Sequence, residues 1–205
     1  MRTPPAGSSN EAGSSVDVRP LTPERLPDLA GLFATTAMTN RCQCTYFLLG
    51  ANDRRQIWRQ GGLRACFEEF ARVAPAPVGV LAYRAGDAVG WCAAAPRADY
   101  PVLLRSPLYR ERNADDDASV WFASCFYVHR SARHQGVTRR LLEAAVSVAA
   151  AAGATAMEGL PRADGDRVAA VDRYVGSESV FAASGFDVVR RPTPRRALMR
   201  RELGG

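Results

Sequence analysis

At 205 residues, 47% of them hydrophobic, the chain suits one domain with a substantial core and is short for two domains of ordinary size. The net charge of +6 rests on 27 basic residues, all of them arginine and scattered through the chain. That pattern suits a basic groove for a phosphorylated ligand at least as well as nucleic acid. No apolar run approaches the roughly 18 residues of a membrane span, no signal-like segment opens the chain, and an odd number of cysteines points to reduced thiols and a cytoplasmic protein.

Residues 1–15 are rich in Pro, Gly, Ser and Ala and read as a disordered tail, leaving 16–205 as the folded domain. Val16 to Leu21 alternates as a short strand. Thr22 is placed as the N-cap of the first helix, with Pro23 at its first position and Glu24 in its first turn. Leu26, Leu29, Ala30 and Phe33 share one face of that helix. Met38 to Asn52 reads as irregular. Asp53 to Val73 reads as helix, broken at Gly61-Gly62. Tyr46, Phe47 and Trp58 serve equally well as pocket lining or as core. Cys42-x-Cys44 has no second pair at ligand spacing, so structural thiols are preferred to a metal.

Val78–Tyr83 and Ala88–Ala94 flank Arg84-Ala85-Gly86-Asp87 as a hairpin. Pro96 to Ala118 has no clear period; its acidic run Asp115-Asp116-Asp117 is either a solvated face or an attractor for a cationic acceptor. Val120 to Val128 is rich in β-branched and aromatic residues and reads as the central strand. A short basic turn follows, and from Gly136 an Ala-rich helix runs to Gly153. Ala154–Leu160 reads as a strand parallel to the central one. Pro161–Arg173 is a polar loop, Tyr174–Ser184 leads into a short helix, and Phe186–Val189 and Arg195–Arg201 are the last strands.

A strand, a basic turn with one glycine and a helix leave several N–H groups unpaired at the helix start, aimed at one spot, where the helix dipole favours an anion. The spacing is neither that of the phosphate loop, which needs a Lys, nor Gly-x-Gly-x-x-Gly. It is Arg133-x-x-Gly136-x-Thr138, five residues after Val128. This resembles the acetyl-CoA motif of the GNAT superfamily of N-acetyltransferases, with Thr138 where Gly or Ala is usual and Arg130 where Pro is common. The opening strand and helix, the hairpin, and Phe181-Ala-Ala-Ser-Gly185-Phe186 are similar to other GNAT segments. The resemblance extends from about Val16 to Leu203.

The resemblance implies an α/β (α+β) fold: a central mixed, mostly antiparallel sheet of six to seven strands, with a splayed parallel pair and about four flanking helices. It implies acetyl-CoA as cosubstrate, without a metal, and an amine acceptor. The backbone of Phe126, Tyr127 and Val128 is expected to hold the pantetheine and polarise the thioester carbonyl. Arg133, His134, Gln135, Gly136, Val137, Thr138 and Arg139 are expected to hold the pyrophosphate. Ser177 and Phe181 line the same cofactor path. In many members a Tyr at the Phe181 position protonates the departing thiolate, so here either the thiolate leaves unassisted or Tyr174 or Ser177 is the substitute. Phe122 stands where some members keep a Glu. Glu158, the only carboxylate of the adjacent strand, is either the general base or a solvent-facing residue of an exposed strand end, with Tyr127 and Tyr174 as weaker candidates for the base.

The activity expected is direct transfer of an acetyl group to the primary amine of a small molecule in a ternary complex. A protein N-terminus or lysine as acceptor, and a CoA-binding regulatory domain without chemistry, are the alternatives. No nucleic-acid or membrane partner is expected, and both a monomer and a homodimer are compatible with the sequence.

Overall fold

The computed structural model describes residues 15–165 and 174–204. The proposed N-terminal tail and part of the polar loop after Pro161 lie outside them. Seven strands, β1 (Asp17–Pro20), β2 (Gly79–Arg84), β3 (Asp87–Pro96), β4 (Val120–Val128), β5 (Ala156–Gly159), β6 (Asp187–Thr193) and β7 (Arg196–Glu202), form one sheet. Its order is β1-β2-β3-β4-β5-β7-β6. Every pairing is antiparallel except β4 with β5, as the strand–helix–strand unit requires. This is the mixed, mostly antiparallel α/β sheet that the resemblance implies.

The helices are α1 (Leu26–Ala34), α2 (Ala37–Cys42), α3 (Ala51–Arg59), α4 (Leu63–Val73), α5 (Pro101–Leu104), α6 (Val137–Ala151) and α7 (Glu178–Ala183). Four run nine residues or longer; α2, α5 and α7 are short. The segment read as irregular therefore contains a helix. Its signal is the Thr36 N-cap, whose hydroxyl accepts from Thr39 N–H at 3.2 Å. Thr22, by contrast, makes no side-chain cap bond, and Pro23–Arg25 forms only a 3₁₀ turn before α1. Its hydroxyl serves the Glu24 carboxylate instead. The break at Gly61-Gly62 separates α3 from α4. No described helix is long and apolar enough to cross a membrane.

Strand β4 divides the core in two. Trp121, Ala123 and Phe126 face α6, where Val137, Leu141, Leu142, Ala145 and Ala149 repeat at helical spacing and are buried. Phe122, Cys125 and Tyr127 face α1, α4 and the segment after β3. The alternation slips once. Ala94 pairs with Ala123 and Ala93 with Cys125, so Ser124 is an extra residue on β4. Bulges of this kind turn a strand and re-aim its side chains, and they recur beside functional sites.

Candidate active site

The turn after β4 is braced by side chains, and the helix start that follows it is left without a side-chain cap. Arg84 of β2 donates from Nη2 to Ser131 O and from Nη1 to Gln135 Oε1, both at 2.7 Å. Gln135 Nε2 donates to Ser131 O (3.2 Å), and Arg133 Nε to Val128 O (3.0 Å). His134 and Gly136 are left-handed, with φ of 60° and 73°. Such residues bend successive N–H groups toward one side. Gly136 is the N-cap of α6, and no side chain caps that end. The Arg140 N–H reaches Gly136 O at 3.2 Å. The amides of Val137, Thr138 and Arg139 come before that bond and, by helix geometry, have no carbonyl to reach. A Cβ at Gly136 would meet nothing within 4 Å, so this face is open.

The basic side chains around the turn are differently placed. Arg133 and His134 are exposed beside the amides. Arg139 is exposed and pairs with Glu143 one turn along the helix (2.7 Å). Arg140 is turned away to Val16 O (3.1 Å). Val137 is buried under the helix start and Thr138 is half-buried. The seven residues expected to hold a pyrophosphate thus lie together at one helix N-terminus, where backbone donors and positive charge coincide.

Six residues back, the sheet opens. β4 pairs with β5 only from Val120↔Ala156 to Phe122↔Glu158, whereas its pairing with β3 continues to Val128↔Gly90. From Ala123 to Val128 the β5 side of β4 therefore has no strand partner among the described residues. Phe126, Tyr127 and Val128 fall in this stretch, which leads into the amide-lined turn. An extended amide chain can take the place of the missing strand there.

Phe181, on α7, plugs the far side of the opening. It is fully buried, edge-on to Phe126 (5.9 Å) and Phe186 (5.0 Å). A Cβ at Gly159 would lie 2.3 Å from its Cε1, so that glycine is required by the ring. Ser177 caps the start of α7, but its hydroxyl is taken up with Ser179 Oγ at 3.1 Å.

Tyr174 stands on the opposite face of β4. Its half-buried ring stacks on Tyr127 with centroids 6.3 Å apart and planes 30° apart. Burial raises its phenol pKa, with Cys125, Tyr127 and Cys42 adding to the effect and Arg133 opposing it. The side chain is therefore a phenol, not a phenolate, near neutral pH, and Arg133 of the basic turn is close enough to act on it.

Thiols complete this wall. Cys44 accepts from Trp91 Nε1 at 3.1 Å, and it and Cys125 are free thiols. The Cys125 thiol beside it, then burial, holds the Cys44 thiol well above its ordinary range. Cys125 is half-buried and packs against the aromatic side of the core, with Phe47 and Tyr174 nearby in the same cluster. Of the aromatics weighed as pocket lining, Phe47 joins Phe122 and Tyr100 at 6.3 and 6.2 Å. Tyr46 and Trp58 are exposed beneath the guanidiniums of Arg54 and Arg41.

Glu158 is neither solvent-facing nor free. It is 4% exposed. Arg200 Nη1 donates to Oε1 at 2.9 Å, and Arg97 Nη1 to Oε2 at 3.1 Å. The Tyr109 hydroxyl makes a short bond to Oε2 as well. Arg97, itself 1% exposed, continues to Asp117 Oδ1 at 2.7 Å, and Arg112 joins the same carboxylate. One member of the acidic run is thus part of a buried ion network. The network joins the end of β3, the loop after it, β5 and β7 at the point where β4 and β5 part. Arg97, Tyr109 and Arg200 were not singled out in the sequence, and no spacing marks them. Residues 96–118 have no period, because short helical turns follow one another there.

The acetyltransferase (GNAT) family profile matches residues 42–174. No curated protein matches the sequence. Among solved structures, the chain is similar to the YncA acetyltransferase of Salmonella typhimurium, solved with acetyl-CoA, at 15% identity and a TM-score of 0.54, over 94% of this chain and 96% of that one. It is similar to the PaiA N-acetyltransferase of Thermoplasma acidophilum, solved with coenzyme A, at 13% identity and 0.51, over 92% and 99%. A GCN5-related N-acetyltransferase of Kribbella flavida gives 19% identity and 0.51, over 92% and 98%. At such identities the structures establish the fold alone, while the profile spans more than half of the chain: this protein belongs to the GNAT family of acetyltransferases.

Proposed function

We propose that the chain transfers an acetyl group from acetyl-CoA to the primary amine of a small molecule by direct attack in a ternary complex. The observation that carries this reading is the continuity of two sets of backbone donors, the open edge of β4 from Ala123 to Val128 and the uncapped start of α6. They run end to end, as a substrate with a diamide arm and a pyrophosphate needs. Related structures of the same fold were solved with acetyl-CoA and with coenzyme A. Acetyl-CoA supplies an activated acyl group and a good leaving group.

In this reading the amides of Gln135 to Arg139 hold the pyrophosphate, with Arg133 and Arg139 adding charge and His134 beside them. Phe126, Tyr127 and Val128 offer main-chain groups to the pantetheine and to the thioester carbonyl. Tyr174 keeps a proton at its phenol oxygen for the sulfur and regains one from the attacking nitrogen. Phe181 and Ser177 shape the cofactor path and carry no proton step. Glu158 is assigned to holding β5 and β7, because both of its oxygens are already bonded to guanidiniums.

The test is thiol release from acetyl-CoA across a panel of primary amines, with an N-terminal peptide and a lysine peptide as competing acceptors. Turnover with a small amine and none with the peptides is the expected result. Tight coenzyme A binding without turnover on any acceptor would make the domain a binding module.

A further inference from the structure

Tyr174 precedes α7 and is carried by no strand. What fixes its phenol is the ring beneath it, and that ring is itself anchored. Tyr127 Oη lies 2.7 Å from Thr35 Oγ1, at the C-terminal cap of α1. Either hydroxyl could donate in that pair, but Thr35 also donates to Leu32 O at 2.7 Å. A hydroxyl has one proton. Since the proton of Thr35 is committed to Leu32, the proton between the two residues belongs to Tyr127. Two consequences follow. Tyr127 has spent its proton on α1 and cannot protonate a leaving group. Its ring is held at both ends, by the β4 backbone on one side and by α1 on the other.

We infer that Thr35 and Tyr127 are positioning residues that hold the Tyr174 phenol in place over the face of β4. The inference rests on the transfer reading above, in which Tyr174 bears the proton for the leaving sulfur. The groups facing Tyr174 are Cys125 and Tyr127 from β4, Arg133 from the turn and Cys42 from α2. Of these, only Tyr127 offers a flat ring stacked on it, with the planes 30° apart. Removing the Thr35 hydroxyl leaves the buried Tyr127 hydroxyl without its acceptor, so the ring shifts to find another, and the phenol stacked on it loses its place without any change in the pyrophosphate cradle. Thr35 is exposed, so its replacement leaves the core intact.

The experiment is a double-mutant cycle on the full chain, reading kcat for thiol release from acetyl-CoA with 2-phenylethylamine and with water as acceptors, and the coenzyme A Kd by calorimetry. Thr35→Val and Tyr127→Phe are each expected to lower kcat about fivefold with Kd unchanged, and Thr35→Ser to restore it. Tyr174→Phe is expected to cost at least about a hundredfold, the lower end of the range for a lost proton donor. Adding Thr35→Val to Tyr174→Phe is expected to cost nothing more. A full fivefold further loss in the double variant would make Thr35 merely structural and overturn the inference, as would a wild-type kcat in Thr35→Val. Unchanged activity in Tyr174→Phe would instead remove the proton-bearing role of Tyr174, and the inference with it. No thiol release by the wild type with either acceptor would overturn both readings.

Discussion

The turn after β4 and the ion network around Glu158 use the same chemical groups to opposite ends. In the network every charge is bonded to another charge: Arg97 and Arg200 to Glu158, Arg97 and Arg112 to Asp117. The turn spends its side chains on itself, through Arg84, Gln135 and Arg133, and no side chain caps the start of α6 that follows it. The lesson is that position near the cofactor path does not make a residue a participant. Uncommitted hydrogen-bonding capacity does, and by that measure we propose that Glu158 belongs to the frame and Gly136 to the site.

The sharpest way to break this division is Glu158→Gln. The substitution keeps the shape but leaves Arg97 buried with one charged partner fewer. Removing one member of a buried pair costs on the order of 3–5 kcal/mol. Because Arg97 keeps Asp117, the lower end is expected, measured as a fall in the chemical-denaturation midpoint. Coenzyme A affinity of the folded fraction should be unchanged. A protein of unaltered stability that had lost its turnover would move Glu158 from the frame to the chemistry. Gly136→Glu probes the other side. It places a carboxylate among the open amides, and coenzyme A Kd should rise at least about a hundredfold, roughly 2.7 kcal/mol. The left-handed backbone adds a stability cost of about 1–2 kcal/mol, a few degrees in Tm. Unchanged affinity would remove the pyrophosphate from this turn.

Much of this division was legible in the sequence, unevenly. The proposed cradle is local: Val128, Arg133, Gly136 and the helix after it follow one another closely, so the strand, turn and helix signals sufficed to place the uncapped helix start. The parallel β4–β5 pair followed from the strand–helix–strand order. The network was not legible, because Arg97, Tyr109, Glu158 and Arg200 are brought together from four separate segments. Glu158 read alone looked like a spare carboxylate; only its partners show that it is spent. The platform under Tyr174 is similarly non-local, since Thr35 and Tyr127 lie 92 residues apart. Sequence patterns report periodicity along the chain, and neither arrangement has any.

The thiol wall beside Tyr174 lies between the two regions and yields the smallest effect. Burial, with the neighbouring Cys44 assisting and Arg54 opposing, pushes the Cys42 thiol up to about 11 from an ordinary value near 9.0. The folded chain therefore holds this proton more tightly than the unfolded chain does. A raised pKa contributes stability that is complete below the unfolded value and is lost as pH rises through the folded one. Unfolding free energy should thus fall between about pH 9 and pH 11. Tyr109 and Tyr100, whose phenols burial also raises, contribute to the same decline, so the wild-type slope alone does not isolate Cys42. Cys42→Ser does, because the hydroxyl keeps the volume and does not titrate in this range. Denaturation measured from pH 8 to pH 11 should show the variant losing less stability than the wild type. Parallel curves would mean that the Cys42 thiolate finds water in the folded protein, and that the wall beside Tyr174 is wetter than its packing indicates.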